Sequence, residues 1–343
     1  MKKLSLAAAS VLAMPATFFF WASAPVLNES DYAYVMTHKT SNSSPAEAVS
    51  DAEAYSILTY NAGYASGLEN NTGVEPDVQQ RKANLEAIEN LVAWLKPDVL
   101  ALQEIDVGSA RSYYTDQVDV LGRAGGFDQS AVAVNWDRRY VPFPYWPYSA
   151  QFGRVLSGQS ISSRRPIEAH ERIVLERPAS NPAYYDAFYL DRLLQHSVTS
   201  LGGQRIHILN VHLEAYDEAT RRQQARTVRS VYELLREDAP VLLVGDFNST
   251  PPAATDQHGF AGYEDDFRSD DTIEHLLEAP GLQMAHTPET EALGFTYPSD
   301  VPVMKLDYVF YDSDSIDPVR ARVVHEAGTA SDHLPVWFEF RLK

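Results

Sequence analysis

The stretch of sequence that decides the fold reads Val241-Leu242-Leu243-Val244-Gly245-Asp246-Phe247-Asn248-Ser249-Thr250-Pro251. An apolar run bounded by a glycine and polar residues predicts a short strand that is buried on both faces. That strand would deliver the carboxylate of Asp246 and the carboxamide of Asn248 on the same side of the chain. Such a pair can hold and orient a water molecule, but an ordinary Asp-containing turn that closes a strand also fits.

The same pattern, an apolar run that meets polar residues, recurs along the chain. It occurs at residues 55–60 before Asn61, 99–102 before Gln103 and Glu104, 206–211 before His212, and 306–310 with Asp307 near the start. These runs predict buried strands. Apolar residues at helical spacing predict helices over residues 79–95 and about 217–236, the second capped by Asp217. Strands that alternate with helices indicate a layered α/β domain.

Composition and charge exclude several kinds of site. The chain has 343 residues, 45% of them hydrophobic, which is enough for a sizeable core. It contains no cysteine, so disulfides, thiolate metal sites and cysteine nucleophiles are excluded. The net charge of -19 repels polyanions at long range, which counts against a nucleic acid partner without excluding one.

The N-terminal segment has the pattern of an export sequence. Lys2 and Lys3 precede an apolar stretch from Leu4 to about Trp21, and the small residues 22–24 follow. Residues 1–24 are therefore predicted to be a signal peptide or an N-terminal membrane anchor. Residues 25–52 are rich in Ser, Asn, Thr and Ala, which predicts a polar linker before a domain at 53–343. We expect an exported protein, periplasmic or secreted, that is either released or held at a membrane by this segment.

Two further groups of polar residues could take part in chemistry. Asp332 and His333 are adjacent near the C-terminus and could ligate a metal and contact phosphate, with Asp307 orienting His333. A pair of this kind also occurs without any function. Glu104, which follows an apolar run, offers the hard oxygen ligands that suit Mg²⁺ or Mn²⁺.

The order of these motifs along the chain is more specific than any one of them. They are Thr59-Tyr60-Asn61, Gln103-Glu104, Asn210-Val211-His212-Leu213, Gly245-Asp246-Phe247-Asn248, Leu306-Asp307-Tyr308 and Ser331-Asp332-His333. The series resembles the endonuclease/exonuclease/phosphatase superfamily, which includes secreted DNases, abasic-site endonucleases, neutral sphingomyelinases and inositol-polyphosphate 5-phosphatases. Residues 160–166 and 295–298 are similar to two supporting segments of that family. The resemblance covers about residues 53–343, without a departure at the core motif positions.

The resemblance implies a four-layer α/β sandwich, in which two facing mixed β-sheets are flanked by helices as in DNase I-like proteins. It implies that Mg²⁺ (or Mn²⁺) is held by Glu104, Asn61 and Asp332. It also implies a catalytic group, which consists of Asp246 and Asn248 at the attacking water, His333 and His212 at the phosphate, and Asp307 behind His333. Water would attack in line, and the cation and imidazole donors would offset the charge added to the phosphoryl oxygens.

Three functions remain open. The first is a metal-dependent phosphodiesterase or phosphatase that acts on a small or lipid phosphoester, which the net charge favours. The second is an exported nuclease that cleaves DNA or RNA. The third is a catalytically silent binding module with the same fold, although this chain keeps the carboxylates and the Asp-His pair that silent relatives usually lose. We expect a monomer whose partner is its phosphoester substrate, and membrane association through the N-terminal segment is an alternative to release.

An aromatic segment bears on the choice of substrate. Residues 140–148 contain five aromatic residues and three prolines, and Phe152 follows them. This segment could stack a sugar, a base or a lipid headgroup, or lie against a membrane. It could equally be a satellite core packed on the sandwich. A second aromatic cluster follows at Tyr184, Tyr185, Phe188 and Tyr189.

Overall fold

The computed structural model describes residues 14–38, 54–75, 77–250, 269–286 and 294–343. Its strands are β1 (Ala33–Thr37), β2 (Tyr55–Asn61), β3 (Val99–Asp106), β4 (Gln129–Val141), β5 (Gly153–Ser163), β6 (Ala169–Val174), β7 (Leu193–Leu201), β8 (Gln204–His212), β9 (Val241–Asp246), β10 (Leu282–Met284), β11 (Asp307–Asp312), β12 (Ile316–Val323) and β13 (Val336–Leu342). The α-helices are α1 at residues 14–23, α2 (Val78–Leu95), α3 (Gln117–Gly125), α4 (Ala183–Asp186), α5 (Glu218–Leu235) and α6 (Thr272–Leu277).

The strands form two mixed sheets that face each other. The strand order is β1-β4-β5-β3-β2-β13-β12 in the seven-stranded sheet and β10-β11-β9-β8-β7-β6 in the six-stranded sheet. Strand β2 runs parallel to β3, and β8 runs parallel to β9. Helices α2 and α3 cover the outer face of the first sheet, and α5 and α6 cover that of the second. This is the DNase I-like four-layer α/β sandwich, so the predicted fold is confirmed.

The apolar runs are continuous because the central strands are buried on both faces. In β2, Leu58 packs under α2, while Ile57 faces the second sheet. In β9, Leu242 faces the first sheet, while Leu243 packs under α5. A strand between two apolar layers shows no polar alternation in its sequence, which is why unbroken apolar runs predict it correctly.

Each of the two long helices begins after an aspartate whose side chain caps it. The side chain of Asp77 accepts a hydrogen bond from the Gln80 amide at 2.7 Å at the start of α2. The side chain of Asp217 accepts one from the Thr220 amide at 2.7 Å at the start of α5. Each bond satisfies an amide that has no partner inside its own helix. Both predicted helices are therefore confirmed.

The polar linker predicted for residues 25–52 is wrong over its first part. Residues 33–37 form β1, which pairs with β4 and extends the seven-stranded sheet at its edge. The amides of Val26 and Leu27 donate to the carboxylate of Asp137 at 2.9 and 2.8 Å, which holds the preceding segment on the domain. The polar composition of residues 25–52 as a whole did not prevent this pairing, because β1 itself is mostly apolar and an edge strand needs only one packed face. Residues 39–53 lie outside the described residues.

The described end of the predicted signal peptide or anchor lies against the domain. Ala22 of α1 is fully buried, and the ring of Phe19 packs on Phe188 with centroids 5.4 Å apart. The amide of Arg139 donates to the carbonyl oxygen of Ala24 at 3.0 Å. Among the helices in the described part of the chain, none has the length and apolar character needed to cross a membrane. Residues 1–13 lie outside the described residues.

Candidate active site

The predicted site residues meet along one edge of the sandwich. Asn61, His212 and Asp246 end their strands β2, β8 and β9. The register places Asp246 beside His212 on one side and beside Asp307, the first residue of β11, on the other. His333 lies just before β13, which runs antiparallel to β2 and so starts at the same edge.

Gly245 allows β9 to approach its neighbour closely before Asp246. Its φ is +134°, and a Cβ atom there would lie 2.0 Å from the carbonyl oxygen of Val211 on β8. A real carbon atom does not come so close to an oxygen, so the position requires glycine. The close approach sets Asp246 and His212 side by side.

Glu104 reaches the site because β3 contains a bulge. The pairing of β3 with β5 changes register between Leu102 and Ile105, and Glu104 has a φ of 47°. A non-glycine residue rarely adopts this left-handed conformation, and a bulge next to a site commonly redirects a side chain. Gln103 points between the sheets instead, where it donates to Asn210 Oδ1 at 2.6 Å.

Two amide side chains hold three carboxylates together in the site. Asn61 Nδ2 donates to Glu104 Oε1 at 3.2 Å and to Asp246 Oδ2 at 2.9 Å. Asn70 Nδ2 donates to Glu104 Oε2 at 3.1 Å and to Asp332 Oδ1 at 3.2 Å. The sequence analysis missed Asn70, because it lies in the loop after β2 and no apolar run points to it.

The oxygen atoms around Asn70 fit a divalent cation. Its Oδ1 atom is buried and accepts no hydrogen bond from the described residues. The two amide positions differ only by a rotation, so the oxygen can take the place of the nitrogen between Glu104 and Asp332. Carboxylate and amide oxygens are the ligands that Mg²⁺ and Mn²⁺ prefer.

A second group of side chains could also hold a metal ion. Asp246, Asp307 and His333 each bring a ligand atom within 4.8 Å of the others. In this group, however, Nδ1 of His333 is bonded to Oδ2 of Asp307 at 2.8 Å. The Glu104 group consists of oxygen donors alone, so it matches a hard cation better.

His333 is held as an imidazolium by its surroundings. Burial alone would lower its pKa, but the carboxylates of Asp307, Asp246 and Asp332 outweigh burial and hold the pKa well above its usual value. Its Nε2 lies 3.8 Å from Asp246 Oδ2, so this nitrogen faces the site. A charged donor is therefore available to a phosphoryl oxygen.

His212 has the opposite protonation state. Burial, followed by the positive charges of Arg192 and His333, holds its pKa well below the usual value, so its ring is neutral. Its Nε2 lies 3.6 Å from Asp246 Oδ2 and 3.9 Å from Glu104 Oε1. The two imidazoles thus flank Asp246 with different charges.

Asp246 and Asp332 both hold protons more tightly than ordinary carboxylates. Burial, together with the charge of Asp307, raises the pKa of Asp246 to about 7, although His333 opposes the shift. Burial, together with the charge of Glu104, raises the pKa of Asp332 to about 6, again against His333. A carboxylate with a pKa near neutrality can exchange a proton with water at physiological pH.

Asn248 fixes the orientation of Asp246 through its backbone. Its amide donates to Asp246 Oδ1 at 2.9 Å, and its side-chain Nδ2 donates to the carbonyl oxygen of Leu213 at 3.0 Å. Asn248 has a φ of 49°, which turns the chain back toward the site. With Asn61 on the other oxygen, both oxygens of Asp246 accept a hydrogen bond.

Arg192 is a second residue that the sequence analysis missed. It precedes β7, lines the same cavity as His212, and is buried. Its Nε and Nη1 atoms make no hydrogen bond within the described residues, although Nε lies 3.6 Å from Glu214 Oε2. A single arginine before a strand gives no sequence signal, whereas buried guanidinium nitrogens that lack hydrogen bonds within the described residues can bind an anion.

The site residues form the polar floor of a cavity of about 690 Å³. Both aromatic clusters contribute to its walls, through residues such as Phe143, Tyr145, Tyr184 and Tyr185. The structure buries one part of the first aromatic segment and exposes another. Phe152 belongs to a small core with Tyr64, Val141 and Val155. Tyr145, Trp146 and Tyr148 are exposed by 71%, 72% and 70%.

The chain belongs to the Endonuclease/Exonuclease/phosphatase family, whose model matches residues 58–333. It is therefore a member of a family of phosphoester hydrolases, as the sequence motifs predict. The match begins within β2 and ends at His333, so it spans all of the predicted site residues.

Several solved structures share the fold of this chain. An endonuclease/exonuclease/phosphatase from Beutenbergia cavernae has a TM-score of 0.54 and 20% identity, covering 84% of this chain and 72% of that one. The human Nocturnin catalytic domain with bound sulfate has a TM-score of 0.57 and 16% identity, covering 91% and 98%. TDP2 from D. rerio, complexed with a single-strand DNA product, has a TM-score of 0.55 and 18% identity, covering 84% and 99%. No curated protein matches the chain in sequence.

Proposed function

We propose that this protein is an exported, divalent-metal-dependent hydrolase of a small or lipid phosphoester. The observation that carries the proposal is the arrangement around Asp246. A carboxylate with a pKa of about 7 lies between an imidazolium, His333, and a group of oxygen donors suited to a cation. Attack of water on a phosphoester needs a base, a cationic donor and neutralisation of charge, and this site offers all three.

Asp246 is the proposed base. Its raised pKa allows it to accept a proton from water near neutral pH. Hydrogen bonds from Asn61 Nδ2 and from the Asn248 amide fix its two oxygens, so the carboxylate is oriented before water arrives. Fixed orientation favours attack in line with the leaving group.

His333 and Arg192 are the proposed donors to the phosphoryl oxygens. His333 is charged and presents Nε2 to the cavity, while Nε and Nη1 of Arg192 make no hydrogen bond in the part of the chain that the structure describes. Attack adds negative charge to oxygens that are already anionic, and fixed cationic donors stabilise that charge. Neutral His212 lies on the other side of Asp246. It can accept or donate a hydrogen bond there, but it adds no positive charge beside the phosphoryl oxygens.

Glu104, Asp332 and Asn70 would hold Mg²⁺ or Mn²⁺, and Asn61, whose Nδ2 donates to Glu104 Oε1, would orient Glu104 beside the cation. The bound cation would neutralise part of the phosphoryl charge and lower the pKa of nearby water. Without it, Glu104 and Asp332 share only the amide nitrogen of Asn70. These two carboxylates repel each other, since the charge of Glu104 raises the pKa of Asp332.

The substrate and location are proposed from the rest of the molecule. The net charge of -19 opposes a long polyanion, and the cavity walls are aromatic, which favours a small or lipid phosphoester over DNA or RNA. The apolar N-terminal stretch supports export, and the contacts of α1 with the domain support its retention after export. A nuclease remains the alternative, since the fold accommodates nucleic acid in TDP2.

The test is a metal titration with matched variants. We expect that chelation abolishes hydrolysis of a nitrophenyl phosphodiester and that Mg²⁺ or Mn²⁺ restores it. Glu104→Gln should raise the metal concentration for half-maximal rate about tenfold or more, because one anionic ligand is lost. Glu86→Gln removes an exposed carboxylate on α2 and should change nothing.

Three results would contradict the proposal. Full activity after exhaustive chelation would exclude the metal. If Glu104→Gln leaves the metal concentration for half-maximal rate unchanged, Glu104 is not a ligand of the metal. Faster cleavage of plasmid DNA or RNA than of sphingomyelin, phosphoinositides and the nitrophenyl ester would favour the nuclease, and binding without turnover would favour the silent module.

A further inference from the structure

The mouth of the cavity is bordered by exposed aromatic side chains from several segments. We name as the aromatic rim Tyr145, Trp146, Tyr148, Tyr184 and Tyr216. Trp146, Tyr145 and Tyr216 are among the most exposed large side chains of the described residues, at 72%, 71% and 72%. Soluble proteins rarely leave so much contiguous apolar surface in water without a function.

The rim segments meet at the same cavity. Tyr145, Tyr184 and Tyr216 each line it, and so does Phe19 of α1. Trp146 and Tyr148 are in contact, with ring centroids 5.1 Å apart. The exposed rings therefore surround the entrance to the active site rather than lying scattered over the surface.

We propose that the aromatic rim seats on a zwitterionic lipid bilayer and that the cavity takes the headgroup of a phospholipid from it. The inference rests on the proposed hydrolase function for the choice of a phosphoester headgroup. Trp and Tyr suit the boundary between lipid and water, because each ring has an apolar body and one polar atom. The net charge of -19 opposes an anionic bilayer, so the lipid surface is zwitterionic.

The position of the apolar N-terminal segment is a second observation that supports docking on a bilayer. Helix α1 places Phe19 in the cavity wall, and the sequence before this helix is apolar from Leu4 onward. The amides of Val26 and Leu27 are bonded to Asp137, so the end of this apolar segment is fixed to the domain beside the cavity. A membrane that receives the apolar segment would thus lie next to the rim.

Tryptophan quenching by lipid tests the docking directly. The chain has five tryptophans. Trp146 belongs to the rim, Trp21 lies at the end of the apolar N-terminal segment, and Trp94 is 60% exposed on α2. Full-length protein is mixed with phosphatidylcholine vesicles whose acyl chains carry bromine, a quencher of nearby tryptophans. We expect Trp146→Phe to remove about half of the quenched emission and Trp94→Phe to remove none.

A kinetic arm uses the same preparation. Trp146→Ser/Tyr148→Ser should slow hydrolysis of phosphatidylcholine in vesicles at least tenfold and leave a soluble nitrophenyl phosphodiester unaffected. Trp94→Ser/Leu234→Ser removes two exposed apolar side chains far from the cavity and should change neither rate. Vesicles with half phosphatidylglycerol should bind more weakly than pure phosphatidylcholine.

The two arms separate failure of docking from failure of the hydrolase. Equal quenching in Trp146→Phe and Trp94→Phe would overturn the inference, because an N-terminal anchor alone would then account for vesicle binding. Quenching of Trp146 by a single-stranded oligonucleotide, with none by brominated vesicles, would overturn it in favour of base stacking. If Trp146 is quenched specifically but the protein hydrolyses neither phosphatidylcholine nor the nitrophenyl phosphodiester, docking is supported and the proposed hydrolase function is contradicted.

Discussion

Replacement of His333 by alanine tests the site most directly, because its two expected effects can be separated. The substitution removes the charged donor that faces the phosphoryl group, so kcat should fall about 10²- to 10³-fold. It also leaves the carboxylate of Asp307 without its charged partner. Asp307 is fully buried, and its Oδ1 accepts no hydrogen bond within the described residues. Loss of one partner from a buried ion pair costs about 3–5 kcal/mol.

The double variant Asp307→Asn/His333→Ala distinguishes catalysis from stability. It removes the stranded charge, so most of the lost stability should return, a recovery of roughly 6 °C or more in Tm at about 2–4 °C per kcal/mol. Its rate should be scarcely lower than that of His333→Ala, because Asp307 acts through His333. Asp307→Asn alone should slow turnover less.

The pH dependence follows from the same pair. Asp307 is the main group that raises the pKa of His333, so the imidazolium persists above neutral pH. The stabilisation that the charged ring contributes is complete at low pH and is lost as pH rises through this raised pKa. Asp307→Asn lowers the pKa, so the alkaline limb of the rate profile should move to lower pH.

The assay is a two-by-two mutant cycle, with steady-state kinetics and thermal melts on the same samples. Asp312→Asn is the matched control, because Asp312 is a buried residue of the same strand, bonded to Arg236 at 3.0 Å and away from the cavity. It should lose stability and keep its rate. Multiplicative rate losses in the cycle, or a double variant that recovers rate together with stability, would refute the proposed pairing.

Three further predictions concern the backbone, the anion site and the cation site. Gly245→Ala should lower the free energy of unfolding by about 3 kcal/mol or more, because the new Cβ atom would collide with the backbone of Val211. Gly203→Ala should lower it by only about 1–2 kcal/mol, because Gly203 has a positive φ but open space around it. Equal denaturation midpoints for the two variants would contradict this prediction. Arg192→Lys should lower kcat/KM by about tenfold with an unchanged melt, and unchanged kinetics would exclude contact with the phosphoryl group. Metal affinity, measured by calorimetry, should rise about tenfold per pH unit up to the pKa of Asp332, about 6, and Asp332→Asn should abolish the slope.

The sequence predicted those parts of the fold that depend on local patterns. Unbroken apolar runs identified β2, β3, β8 and β9, since both faces of these strands are buried. It failed at β1, whose five residues alternate between exposed and half-buried at the edge of the sheet. Tyr34 and Met36 supply its packed face, and the polar composition of residues 25–52 as a whole concealed this short run.

The sequence identified most of the residues of the site but not how they are arranged in space. Motif order identified Glu104, yet only the bulge in β3 explains how Glu104 and not Gln103 enters the cavity. Nothing in the local sequence indicates a bulge, because it depends on the pairing with β5. Asn70 and Arg192 remained hidden for a similar reason, since each acquires its role from partners that are distant in sequence.

The carboxylates of the site differ in role because they differ in partners. Asp307 is committed to His333 by a hydrogen bond of 2.8 Å, so it tunes the donor and does not act on water. Asp332 and Glu104 both accept a hydrogen bond from the amide of Asn70. Because the two carboxylates repel each other, a cation bound between them would stabilise both. Asp246 lies between these two pairs and receives hydrogen bonds from neutral amides, which leaves it the carboxylate free to exchange a proton. A substrate phosphate adds more negative charge to this excess, so cation and substrate should bind cooperatively, which a substrate-dependent metal titration would detect.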